Sequence, residues 1–165
     1  MGVPPPDAEW YLPTVVTIRV DGVWTSGFDF CASRGVQIHV ITAWNPGDER
    51  PSSEINEARN QELRAEISAR GLKALEALGS DPKSPHAEKS WAVVGMTDDT
   101  AIELGRKYGQ VAVFFITRAR QWVLGCLDIL FPEDLFRQKT WGITSSMCSC
   151  RMQLPCREQM KFRKK

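Results

Sequence analysis

Apolar residues fall in short blocks along the first three quarters of this chain, and turn or cap residues separate the blocks. Val15-Val16-Thr17-Ile18-Arg19-Val20 is rich in β-branched residues and predicts a strand. Asp21-Gly22 is a hairpin dipeptide, with Val23-Trp24-Thr25 as the return strand. After a turn at Ser33-Arg34-Gly35, the block from Gln37 to Ile41 reads as the strand around which the chain is organised. It runs into a polar and aromatic corner, Thr42-Ala43-Trp44-Asn45-Pro46. Pro46-Gly47-Asp48 ends it, since proline cannot donate to a ladder and glycine takes turn dihedrals freely. The period then changes from two to that of a helix. Ser52 or Ser53 caps a helix running to about Arg70 and closed by Gly71. Its apolar stripe, Leu63 and Ile67, extends backwards through Asn60 and Asn56, so the face that packs on the sheet turns polar at the helix start.

The second half repeats the alternation. The Leu72–Leu78 block fits a short strand better than a helix, because Gly71 has just closed one. Residues 79–89 form a polar loop, and Ser90–Met96 is a further strand. Thr97-Asp98-Asp99 opens a second helix with acidic residues in its first turn, ended by Arg106, Lys107 and Gly109. Val111–Ile116 and Trp122–Leu127 are the last strands, paired through residues 117–121. The pattern predicts an α/β fold of α+β type: a single layer of two helices on a mixed, mainly antiparallel sheet, in the order β-β-β-α-β-β-α-β-β.

After Asp128 no period survives, which divides the chain into a body, 1–128, and an appendage, 129–165. Charge divides at the same place. Residues 1–128 carry 13 Lys+Arg against 17 Asp+Glu, and 129–165 carry 8 against 3. The basic end, Arg151 to Lys165, has only Phe162 among its charges, so it lacks the stacking platform of a single-strand binder, and nucleic acid is not the expected partner. No apolar run reaches the ~18–20 residues a membrane span needs, and the proline-rich start does not read as a secretory signal. With five cysteines, the expectation is reduced thiols in a cytoplasmic protein.

The candidate site is the corner itself. Thr42, Trp44, Asn45, Asn56, Asn60, Ser90 and Gln110 all lie at strand or helix ends, where α/β sheets build clefts. Trp44 is placed to stack on a planar ligand and the amides to orient it. Glu88 is the candidate acid-base group, and His86, two residues before it, the candidate for proton transfer or metal binding. The simpler reading is that the amides and serines satisfy turn and cap groups while Trp44 packs in the core. His39 alternates with Ile38 and Val40, so it is either outward or buried and hydrogen-bonded. Cys148, Cys150 and Cys156 are candidate zinc ligands, but their fourth partner is missing unless Cys126 reaches them. No hydrolase elbow, P-loop or dinucleotide fingerprint is present.

Several stretches together resemble a bacterial family catalogued as domain of unknown function 3293. They are Val40-Ile41-Thr42-Ala43-Trp44-Asn45-Pro46, Ser53 with Asn56 and Arg59-Asn60-x-x-Leu63, Glu88-x-Ser90, and the run from Leu104 to Phe114. The resemblance spans roughly residues 14–126 and leaves the tail uncovered. It implies a small, mostly bacterial α/β protein and carries no activity. The functional expectation is binding of a planar small molecule or nucleotide in the corner. Its alternatives are a non-catalytic interaction or regulatory protein acting through its surface or basic tail, and a metal-dependent hydrolase or nuclease built on Glu88 and His86.

Overall fold

The alternating blocks pair into one antiparallel sheet, and each block's two faces are buried by different partners. The structure, a computed structural model, describes Tyr11, residues 13–47 and 49–126, and the backbone of 139–140. In chain order the elements are β1 (Val15–Val20), β2 (Val23–Ser26), α1 (Gly27–Arg34), β3 (Ile38–Ile41), α2 (Ser53–Ala69), β4 (Ala74–Ser80), β5 (Ala87–Val94), α3 (Asp98–Lys107), β6 (Ala112–Ile116), β7 (Arg120–Gly125) and β8 (Lys139–Thr140). The sheet order is β2-β1-β4-β5-β3-β6-β7-β8. The expected α+β class holds. Every described strand pair is antiparallel, so the sheet is not mixed.

β3 lies between β5 and β6 and is buried along its whole length. Its alternation assigns the two faces. Ile41 joins Leu63, Ile67, Trp91, Val93 and Leu104 in the core under α2 and α3. Ile38 and Val40 point the other way, into a core with Ile18, Phe30, Ala92 and Ile116. That second core carries the difference from the expected architecture. α2 and α3 form the predicted layer of two helices, but a third helix, α1, covers part of the opposite face. Ser26 caps it, its Oγ accepting from the Asp29 N–H at 3.0 Å, and Gly35 closes it at φ 64°.

The predicted boundaries otherwise fall close. Ser52 caps α2 through the Ile55 N–H, Thr97 caps α3 through that of Thr100, and the Leu72–Leu78 block is β4. His39 is buried, with Nε2 2.7 Å from Asp98 Oδ1 at the start of α3 and its ring 4.8 Å from that of Phe115. No described helix is long and apolar enough to cross a membrane. Of the 129–165 appendage only β8 is described, paired to β7. Its apolar and basic residues and Cys148, Cys150 and Cys156 lie outside the described residues.

Candidate functional site

β3 stops where its backbone partners run out, and side chains take over the pairing. The Thr42 Oγ accepts from the Trp44 N–H at 2.9 Å and donates to the Lys89 carbonyl at 2.7 Å. Asn60 bridges the next gap. Its Oδ1 accepts from the Ala43 N–H at 3.2 Å and its Nδ2 donates to the Lys89 carbonyl at 3.3 Å. Asn45 has φ 45°, a left-handed conformation that asparagine tolerates better than most residues. Two reciprocal bonds hold it there: Asn45 N–H to Asn56 Oδ1 at 3.0 Å, and Asn56 Nδ2 to Asn45 Oδ1 at 2.9 Å. Arg59 donates to the carbonyls of Ala43 and Tyr108, and Gln110 Nε2 to that of Trp44. The polar stripe of α2 thus reaches the corner as the helical period required. Asn56 and Asn60 are both 2% exposed and brace the corner from the α2 side.

On the opposite face, beyond the reach of α1, the same corner borders a cleft of about 380 Å³. Its floor is apolar, from Val16, Val40, Ala112 and Phe114, with Tyr11 at the edge. The Tyr11 and Phe114 rings meet edge to face, centroids 6.4 Å apart. Its polar wall comes from the run into β5, where residues two apart share a face: His86 just before the strand, then Glu88 and Ser90, all line it. Glu88 stands opposite Gly79 in the register, so no side chain from β4 fills the space above it. Thr42, Asn45 and Gln110 complete the wall, and Arg50, Asp81 and Ser84 border the opening.

Glu88 Oε1 is the convergence point of this wall. It accepts from Asn45 Nδ2 at 3.0 Å and lies 3.0 Å from His86 Nε2. The Glu88 side chain is 25% exposed and that of His86 54%, so the pair spans from the wall to solvent. An imidazole anchored at one nitrogen by a carboxylate is oriented and can exchange a proton at the other.

The expected ligand residues therefore divide. Thr42, Asn45, Ser90 and Gln110 line one cleft together with Glu88 and His86. Trp44, Asn56 and Asn60 do not line it. Lys89, alternating with Glu88, sits on the other side of β5. Its Nζ is 5.8 Å from the Trp44 ring centroid and 2.7 Å from Glu57 Oε2, a bond that holds the Glu57 carboxyl below its ordinary range. Phe114 and Val40 were missed as cleft residues, although their strand parity with Ile116 and Ile38 carried the signal. Tyr11, Asp81 and Arg50 come from connecting segments, where no period exists to assign a face. Among the described residues no group of three or more His, Cys, Asp or Glu side chains is arranged to hold a metal ion. Cys126, considered as a fourth zinc ligand, is buried in the core under α3.

Residues 41–113 match the model of a family described as Protein of unknown function (DUF3293). The matched segment runs from the end of β3 into β6 and contains the corner, its braces and the β5 wall of the cleft. No curated protein and no solved structure matches the chain.

Proposed function

We propose that this is a small bacterial, cytoplasmic protein that binds a planar small molecule in the cleft at the end of β3. The observation that carries the reading is the cleft itself. An apolar floor and a convergent polar wall enclose about 380 Å³, within the range small-molecule sites occupy. The flat surface comes from Phe114 and Tyr11 instead of Trp44, and the orienting groups are Asn45, Gln110 and Glu88. The bacterial assignment rests on the family resemblance. The cytoplasmic one rests on the reduced-thiol reading of the cysteines.

The bond between His86 and Glu88 favours a second reading, in which a bound molecule exchanges a proton with His86. An interaction protein acting through the basic tail would use residues outside those described.

A thermal-shift screen of planar metabolites and nucleotides tests the first reading. Ligand bound to the native state raises the melting temperature by mass action. Ala112→Leu, which adds a side chain to the cleft floor, is expected to weaken any hit by about tenfold or more while leaving the ligand-free transition nearly unchanged. Hits that ignore this substitution, or a screen with no hits, would remove the support for the cleft.

A further inference from the structure

Hydrogen-bond bookkeeping in the cleft points to the chemical class of its ligand, on the reading that the cleft is a binding site. The hydroxyls of Thr42, Ser80 and Ser90 and one N–H of each wall amide are engaged within the protein. The hydroxyl of Thr42 donates to the Lys89 carbonyl, that of Ser90 to the Glu88 carbonyl and that of Ser80 to the Val15 carbonyl. Asn45 Nδ2 donates to Glu88 Oε1 and Gln110 Nε2 to the Trp44 carbonyl. The acceptors are left over. Glu88 Oε2, Gln110 Oε1 and Asp81 Oδ2 have no partner among the described residues, whereas Glu88 Oε1 and Asp81 Oδ1 do. A ligand that brings its own N–H donors completes this wall, and one that brings only acceptors leaves it unsatisfied.

Charge and surface agree with that selection. Two carboxylates, Asp81 and Glu88, line the cleft against one cationic side chain, Arg50. Arg50 is exposed and its Nη1 donates to the Glu49 carbonyl at 2.7 Å. The apolar floor offers the rings of Phe114 and Tyr11, whose faces attract cations. We infer that the cleft takes a small planar organic cation, such as an amidinium or a protonated aromatic amine, with its N–H groups on Glu88 and Gln110 and its flat body on Phe114. An anionic phosphate would face both carboxylates, so a nucleotide is disfavoured at this position.

Three probes of one shape and different charge test this: benzamidine, benzamide and benzoate. Each is titrated into the full-length protein at pH 7 while backbone amide resonances are followed by NMR. Benzamidine is expected to give saturable shifts at Thr42, Ser90 and Phe114, with benzamide at least tenfold weaker and benzoate giving none. Glu88→Gln keeps an oxygen for Asn45 and removes the charge, and is expected to weaken benzamidine at least tenfold. Asp81→Asn, in the loop before β5, provides a second and independent loss of charge with a smaller weakening expected. Benzamide or benzoate matching benzamidine, or Glu88→Gln binding benzamidine as tightly as the unmodified protein, overturns the cation inference and leaves the cleft standing. If no probe moves the cleft resonances, the binding reading falls and this inference with it.

Discussion

Asparagine is the residue on which the corner depends, because its amide both accepts and donates. Asn60 does both at once while 2% exposed, so truncating it strands the buried Ala43 N–H and leaves the Lys89 carbonyl with only the Thr42 hydroxyl among its side-chain donors. Asn60→Ala is expected to cost about 1–3 kcal/mol in denaturant unfolding, with the slope unchanged. A cost below ~0.5 kcal/mol would mean the corner closes without it. Asn45 adds a backbone requirement to its side-chain one. Asn45→Ala loses the bonds to Asn56 and Glu88 and places a Cβ at φ 45°, whereas Asn45→Gly loses the same bonds without that strain. The alanine variant should therefore be the less stable of the two by about 1 kcal/mol. Equal stabilities would show that the left-handed backbone is not a cost at this position. These asparagines were legible from sequence because a helical stripe that turns polar has to meet something polar. Their partners were not, since a stripe names a face without naming the atoms on it. The same limit applies to Trp44: residue type names a ring without naming its neighbour, which here includes the Lys89 Nζ, 5.8 Å from the ring centroid.

Helices α2 and α3 meet each other and the sheet through contacts that sequence period alone does not reveal. Gly105 in α3 would read as a weak helix residue, and alanine there as an improvement of about 1 kcal/mol. A Cβ at that position would run into the Cys126 Sγ and lie 2.9 Å from the Val113 Cγ1, both in buried side chains. Overpacking costs about 1–3 kcal/mol, so Gly105→Ala should destabilise, and Cys126→Ala in the same chain should recover part of the loss. A stabilised Gly105→Ala would show that α3 can lift from the sheet at no cost. Glu66 in α2 accepts from Lys107 Nζ at 2.7 Å and the Tyr108 hydroxyl at the end of α3, and from Arg70 one turn on at the end of its own helix. The Lys107 bond first, then those from Arg70 and Tyr108, hold its carboxyl below the ordinary value of 4.5. A group with a lowered folded-state pKa contributes its full stabilisation above the unfolded value and loses it as pH falls through the folded one. The stability difference between the unmodified protein and Glu66→Gln should thus be constant near neutrality and shrink on acidification below about pH 4.5. A difference that grows in acid would contradict the assignment. α1 shows why one element escaped the sequence reading. It has only 8 residues, opens on a glycine and carries aromatic residues two apart, which mimics a strand. Its signal was the cap: Ser26 followed three residues later by Asp29, whose carboxylate accepts from the Ser26 hydroxyl at 2.8 Å, with Gly35 at the far end.

At the scale of the whole molecule, two cores lie back to back on one sheet, and the question is whether they unfold together. Each contains a cysteine. Cys31 in α1 lies in the core beneath that helix, and Cys126 after β7 lies in the core beneath α2 and α3. Burial pushes the first thiol up to about 11 and the second to about 12, so both are almost entirely protonated near pH 8. They are expected to alkylate only when the structure opens, which makes them reporters of opening on the two faces. Because β3, β5 and β6 contribute side chains to both cores, loss of one face should expose the backbone ladder of the other. In a chain with Cys148, Cys150 and Cys156 replaced by serine, pulsed alkylation read by peptide mass spectrometry should yield the same opening free energy for Cys31 and Cys126, within about 1 kcal/mol of global unfolding. If Cys31 labels well ahead of Cys126, then α1 opens alone. The cleft, which no α1 residue lines, would then keep its floor of Val16, Val40 and Phe114 while α1 opens.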